Sequence, residues 1–171
     1  LSGHYDIVGI SSPGKDLEEV GRQENIRVVP VYMERRISVV KDFMSLLKLI
    51  WVFRKEKPWM VHSLTPKAGL LSMLAAKITR VPVRMHTFTG LVFPTARGML
   101  KPLLIMMDRI TCLCATLINP EGEGVKHDLI SYKITQKPLH IIAHGNINGI
   151  DMGYYCRSQE VIRQASVWGN K

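Results

Sequence analysis

Short apolar runs rich in β-branched residues recur along the chain, separated by longer segments with helical periodicity. The runs Tyr5–Ile10, Ile26–Val31, Trp59–His62, Val83–Thr87, Ala115–Ile118 and Leu139–Ala143 are continuous in hydrophobicity rather than alternating. That is the pattern of strands buried on both faces. A first helix is expected from Asp16 through Leu17 and Val20, with Glu18 and Glu19 in its favourable first turn. A long helix should run from Ser38 to Lys55 and stop at Lys57-Pro58. Pro66 opens another, to about Thr79, and a Met/Leu-rich helix follows from Met99 to Asp108. Glu121-Gly-Glu-Gly leads into the last. This alternation predicts an α/β fold: a Rossmann-like, doubly wound parallel sheet with right-handed crossovers. Residues 1–150 should form that domain. The less patterned stretch 151–171 should be a linker or stub.

The wheel of the long helix predicts which side faces the sheet. Phe43, Leu46, Leu47, Ile50 and Phe53 form the expected core face. Lys41, Lys48 and Lys55 recur every seven residues as a basic stripe, flanked by Met44, Trp51 and Val52. Lysines beside Trp and aliphatic residues suit a helix lying on an anionic membrane surface. They equally suit a solvated lysine edge with partly buried flanks. Arg35 and Arg36 add to the basic surface.

Composition narrows the class only slightly. The 171 residues hold 23 Lys+Arg and 14 Asp+Glu, a formal charge of +9, with 46% hydrophobic and 22% charged residues. This is a globular balance, and the length suits one domain with its own core. The charge favours anionic partners without choosing among phosphates, lipid surfaces and nucleic acid. Nucleic acid is set aside, because no recognised motif is present and aromatics are not interleaved with the basic clusters. No apolar run approaches the ~18 residues of a membrane span, and Leu1-Ser-Gly-His does not read as a signal peptide. Cys112, Cys114 and Cys156 are too few for a disulfide framework. A cytoplasmic, reducing setting is expected. Cys112 and Cys114, read as one face of an extended segment, are expected to be small buried hydrophobes, and no zinc-ligand spacing accompanies them. The first strand is followed by Ser11-Ser-Pro-Gly14, not by G-x-G-x-x-G, and no P-loop occurs. Dinucleotide and NTP chemistry therefore lack their usual support.

Chemistry-bearing residues collect around the third and fourth strands. Pro66 suits the first turn of a helix and Thr65 its N-cap. That N-terminus, with Lys67 beside it, is either an anion site or an ordinary solvated helix start. His62 and His86 sit at the carboxyl ends of expected parallel strands, where open α/β sheets bind ligands. Each is a candidate for the cleft or a satisfied structural histidine. Gly69, Ala75 and Ala76 are read as permitting close helix–sheet packing. The loop Gly90-Leu-Val-Phe-Pro-Thr-Ala-Arg-Gly98 either holds a lipid-linked ligand or folds back as core.

The stretch Val61-His-Ser-Leu-Thr-Pro-Lys-Ala-Gly-Leu-Leu-Ser-Met-Leu-Ala-Ala-Lys-Ile-Thr-Arg-Val-Pro-Val-Arg-Met-His-Thr-Phe-Thr-Gly90 resembles the acceptor-side domain of bacterial family 4 glycosyltransferases. These are the two-domain GT-B enzymes of capsule and O-antigen assembly. Two further blocks agree in order: Ile118-Asn-Pro-Glu-Gly-Glu-Gly-Val-Lys-His-Asp-Leu129 and His144-Gly-Asn-Ile-Asn-Gly-Ile-Asp151. The resemblance implies the N-terminal half of a GT-B fold, apparently without the family's first strand. It implies sugar transfer from a nucleotide-sugar donor to a polyprenyl-diphosphate-linked glycan at the inner face of the cytoplasmic membrane. No metal or further cofactor is implied. It marks His86 and Thr89 as candidates nearest the chemistry, and His62, Thr65, Lys67 and Gly90 as acceptor-binding. Lys41, Lys48, Trp51 and Lys55 would face the membrane. The family's H-T-x-H-G reads His86-Thr-Phe-Thr89-Gly90 here, so Thr89 replaces the second histidine. In the family two glutamates eight positions apart, in the C-terminal domain, hold the donor. No two glutamates here have that spacing, so this chain alone is expected not to turn over.

Overall fold

A computed structural model of the chain describes residues 3–33, 38–143 and 145. Arg35, Arg36, His144 and the segment 146–171, with Cys156 and the expected linker, lie outside the described residues. The elements alternate as β1 (Val8–Ser11), α1 (Lys15–Gln23), β2 (Arg27–Pro30), α2 (Val39–Glu56), β3 (Met60–Ser63), α3 (Pro66–Ile78), β4 (Val83–Phe88), α4 (Leu100–Cys114), β5 (Leu117–Pro120) and α5 (Glu123–Ser131). Every strand pairing is parallel, with Val8 opposite Arg27, Met60 opposite Val83 and Met85 opposite Leu117.

The strands form two groups, β1–β2 and β3–β4–β5. β1 and β3 each keep one edge without a strand partner among the described residues. A doubly wound sheet of order 3-2-1-4-5 holds one more strand between such edges. The two groups nevertheless share one core. Val31 joins Leu49, Val52, Phe53, Val61, Leu71 and Met73 in it, and Ile10 and Val29 lean on it from the smaller group. α1 packs on β1 and β2, while α2, α3 and α4 pack side by side, α3 also resting on β3 and β4. Small residues make that close approach possible: Gly69, Ser72, Ala75 and Ala76 are all buried in α3.

Three expectations change. The last strand, expected over Leu139–Ala143, is a single bridge from Leu139 to Ile118 among the described residues; Pro138, with no N–H, precedes it. α4 runs to Cys114, so Cys112 and Cys114 lie on a helix instead of a strand, although both are buried as expected. The β-branched pair Ile110-Thr111 reads as extended, but Thr111 Oγ1 donates to Met107 O (2.9 Å) within the helix. Lys137 Nζ then seals its end by donating to the carbonyls of Cys112 (2.7 Å), Leu113 (3.3 Å) and Ala115 (2.6 Å).

The wheel of α2 is also rotated from its expected setting. Ser45, Leu49, Val52 and Phe53 are its buried residues, while Phe43 (58% exposed) and Leu47 (45%) face outward. Val52, expected beside the lysine stripe, is in the core. Ser45 fixes this orientation: its hydroxyl lies within hydrogen-bonding reach of the carbonyls of Tyr32 and Lys41.

Candidate functional site

The carboxyl ends of β3 and β4 bring most of the candidate residues to one edge of the sheet. Thr65 is the N-cap of α3 and Pro66 its first residue, as their residue types favour. The Thr65 hydroxyl makes no capping hydrogen bond. Directly after β4 come Thr89 and Gly90, both exposed, with Gly90 at φ +153°. That backbone angle is open to glycine and strained for other residues.

Side-chain alternation along a strand sends neighbours to opposite faces, and this separates the two histidines. Ser63 and His86 are paired across β3 and β4, and Ser63 Oγ and His86 Nδ1 share a hydrogen bond of 2.8 Å. His86 is 1% exposed. It lies beneath α3 against Gly69, where a Cβ would come within 2.3 Å of its Cε1. Phe88 meets its ring edge-on at 4.5 Å. Burial holds the His86 pKa down at about 4, so the imidazole is neutral at physiological pH. The cleft position expected for His86 is thus not what is seen: its ring supports α3 out of contact with solvent.

His62 occupies the other face and is exposed. Its Nε2 is 2.8 Å from Thr87 Oγ1, and desolvation lowers its pKa. Lys67, in the first turn of α3, is not a lone ammonium beside a helix start. Its Nζ lies 2.6 Å from Asp42 Oδ1, and both side chains are largely buried. Asp42 Oδ2 also accepts from Ser38 N (3.1 Å), so one carboxylate joins the starts of α2 and α3. Nothing in the sequence signals this pair, 25 positions apart. Ser63 and Thr87, the partners of the two histidines, are missed for the same reason. Gly69 is the exception, since a glycine among small residues in a helix points to close packing.

The loop after β4 divides its apolar triplet. Phe93 is fully buried and stacks edge-on against Tyr132 at 4.9 Å, Leu91 is half-buried, and Val92 is exposed. Lys41, Lys48, Trp51 and Lys55 all lie on the exposed side of α2, with Lys55 Nζ 5.4 Å from the Trp51 ring centroid. At the end of β5, Gly122 is the N-cap of α5, a turn role. A cavity of about 450 Å³ opens there, lined by Gly122, Glu123, Lys126, Leu139 and His140. Among the described residues no cluster of three His, Cys, Asp or Glu is placed to hold a metal ion. No helix among them is long and apolar enough to cross a membrane.

An open parallel α/β unit, with its exposed polar groups gathered where the strands end, is of the class that binds ligands at its carboxyl edge. The family described as "Glycosyl transferase 4-like" matches residues 1–119, and the chain belongs to that family. A capsular polysaccharide biosynthesis glycosyltransferase, CapM, of Staphylococcus aureus is 39% identical over 148 residues. A UDP-Gal:alpha-D-GlcNAc-diphosphoundecaprenol alpha-1,3-galactosyltransferase of Escherichia coli is 35% identical over 120. These matches cover 86% and 69% of this chain but only 38% and 30% of the relatives. Among solved structures, Anabaena Alr3699/HepE in complex with UDP superposes with a TM-score of 0.65 at 13% identity, over 95% of this chain and 42% of that one. It shares the fold.

Proposed function

We propose that this chain is the acceptor-binding portion of a glycosyltransferase of surface polysaccharide assembly. The whole enzyme transfers a sugar from a nucleotide-sugar donor to a polyprenyl-diphosphate-linked glycan. One observation carries the reading: in a chain of this family, Thr65, Thr89 and Gly90 stand exposed at adjoining strand ends beside the start of α3. The amides of that helix start and the Thr65 hydroxyl are donors for an acceptor diphosphate. Lys67 contributes through its pair with Asp42, and Gly90 lets the glycan approach the backbone. Thr89 is the polar group nearest the reacting sugars, with His62 on the adjoining strand. His86 acts by holding α3, and so aims its N-terminus. The galactosyltransferase relative is named for a diphosphoundecaprenol-linked acceptor and the Anabaena structure for its UDP, which supports both substrate classes. A lipid-linked acceptor puts the protein at the inner face of the cytoplasmic membrane, with Lys41, Lys48, Trp51 and Lys55 toward it.

The test is titration of the 171-residue chain with a water-soluble, short-prenyl diphosphate-linked N-acetyl sugar, followed by NMR. Thr65→Val and Thr89→Val should each weaken binding by about three- to tenfold, the worth of one hydrogen bond. Binding unchanged in both variants would overturn the site. Equal affinity for inorganic pyrophosphate would point instead to a non-catalytic phosphate-binding module. Sugar transfer by the isolated chain would refute the assignment of the donor site to the remainder of the enzyme.

A further inference from the structure

A second cavity opens at the amino-terminal edge of the sheet, away from the strand ends that gather Thr65 and Thr89. It holds about 340 Å³ where the C-terminal ends of α2 and α3 meet, and Phe53, Arg54, Lys57, Arg80, Val81 and Pro82 are among its lining. Phe53 (4% exposed) and Val81 (3%) supply its buried apolar part. Arg54, Lys57 and Arg80 are exposed, and no acidic residue belongs to the described lining. Glu56, the carboxylate in the last turn of α2, is held by Arg27 instead (2.9 Å). The 13 residues of α3 put about 20 Å between this cavity and the candidate acceptor site.

Cations at helix C-termini ordinarily serve the helix ends, through the dipole or by bonding the last carbonyls. Lys137 bonds them in this way on α4. At the ends of α2 and α3 other donors already take those carbonyls. Lys57 N donates to Phe53 O (3.0 Å), Arg80 N to Lys77 O (3.1 Å) and Val81 N to Ala76 O (2.8 Å). Thr79 Oγ1 donates to Ala75 O (2.8 Å). The side chains of Arg54, Lys57 and Arg80 make no hydrogen bond or ion pair among the described residues. Three like charges around one hollow repel one another, and an anion seated among them relieves that repulsion.

We propose that this cavity binds a nucleoside diphosphate. Such a ligand carries about three negative charges at neutral pH, two on its terminal phosphate and one on the inner. They match the three cations, of which Arg54 and Arg80 can each offer paired N–H donors to phosphate oxygens. The nucleoside lies against Phe53, Val81, Pro58 and Pro82. The volume is at the small end of the range for small-molecule sites, about 300–1,000 Å³, which suits one nucleotide and not a polymer. Thr79 is the one uncharged polar residue in the described lining, so the base is held by its faces and its identity is read weakly.

The biological sense of this site rests on the proposed function, in which the whole enzyme consumes a nucleotide sugar and releases a nucleoside diphosphate. Product bound here clamps the ends of α2 and α3 together. These are the two helices whose starts the Asp42–Lys67 ion pair joins beside the candidate acceptor site (2.6 Å).

The experiment is an NMR titration of the 171-residue chain with UDP at low salt. With the donor site in the remainder of the enzyme, UDP has no donor site to occupy in this chain. The expected result is binding with amide shifts centred on Arg54, Lys57, Thr79, Arg80 and Val81. Arg54→Gln, Lys57→Gln and Arg80→Gln should each weaken it by about fivefold, the most that an exposed ion pair is worth. Lys77, an exposed cation in the last turn of α3, is outside the cavity lining, and Lys77→Gln should leave binding unchanged. Inorganic pyrophosphate, of similar charge but without a nucleoside to bury, should bind about fivefold more weakly than UDP. The substituted side chains are exposed, so the urea midpoint of each free variant should stay at that of the parent and separate lost binding from lost folding. Absence of binding, or shifts centred instead on Thr65, Thr89 and Gly90, would overturn the proposal. So would an equal loss in Lys77→Gln, which reduces the effect to net charge, or pyrophosphate binding as tight as that of UDP. The UDP titration needs no acceptor, and its variants leave Thr65 and Thr89 intact. Its failure is therefore distinct from failure of the prenyl-diphosphate titration.

Discussion

Replacing Gly69 with Ala tests the contact that seats α3 on the sheet. A Cβ at this position would lie 2.3 Å from Cε1 and 2.7 Å from Nδ1 of His86, far inside van der Waals contact. The ring has nowhere to retreat. Ser63 holds Nδ1 at 2.8 Å, Phe88 backs it at 4.5 Å, and β4 is hydrogen-bonded on both sides, to β3 and β5. Overpacking of this kind costs about 1–3 kcal/mol. Ala in place of Gly in a helix returns about 1 kcal/mol. The net loss should be up to about 2 kcal/mol, read as a lowered urea midpoint at constant m-value. In a His86→Ala background the obstacle is gone and only the helix preference remains. There the same Gly69→Ala change should stabilise by up to about 1 kcal/mol. That reversal of sign is the diagnostic, a coupling of about 1–3 kcal/mol between the two sites. If Gly69→Ala costs the same in both backgrounds, or stabilises the parent, His86 is not wedged beneath α3.

Other consequences follow from buried polar groups. His86, held at about 4, stays neutral in the folded state while the unfolded histidine takes up a proton near its ordinary value. Its contribution is lost as pH falls from about 6.5 to about 4. Asp108, 7% exposed, has its pKa raised by burial to about 6, so its contribution is lost as pH rises from about 4 through 6. Each is worth about 3 kcal/mol at most, with opposite slopes that largely cancel. Asp108→Asn should therefore unmask the histidine, with urea midpoints that rise steeply between pH 4 and 6.5; a flat profile in that variant would refute it. Lys137→Met removes the ammonium from three carbonyls at the end of α4 and should cost about 1.5–3 kcal/mol in urea unfolding, whereas loss below about 0.5 kcal/mol would mean that water replaces it fully.

The sequence makes the order of elements legible because strand burial and turn chemistry are local signals. Pro66 after Thr65 starts α3 where expected, and Gly69, Ala75 and Ala76 announce its tight packing. The setting of α2 is not legible. Between Val39 and Phe53 apolar residues occupy nearly every direction of the wheel, so periodicity cannot choose the core side. A serine chooses it instead, through Ser45 and the carbonyl of Tyr32. The end of α4 is misread because Ile110-Thr111 favours extension locally, and Lys137 overrides that preference from 23 residues beyond the helix. Thr65 is expected from its residue type as a helix N-cap, while Thr89 and Gly90 are expected only from the family resemblance. The separation of His62 from His86 depends on which face each strand turns to α3, and that is tertiary information.

The two-part sheet has a consequence for how the chain breathes. Among the described residues, no strand hydrogen bond links β1–α1–β2 to β3–β4–β5, and the two are joined by side-chain contacts to α2: apolar ones around Val31, Val29 and Ile10, the Arg27–Glu56 ion pair (2.9 Å) and Ser45 at the Tyr32 carbonyl. Cooperativity carried only by such contacts divides a domain into units that open separately. Amides of β1 and β2 should thus exchange with solvent deuterium through a local opening that leaves β4 closed, while β4 exchanges only when the whole core is lost. The seam beside β3 is therefore a hinge in the energy landscape as well as a break in the ladder. A strand paired across it would fuse two weakly coupled units into one.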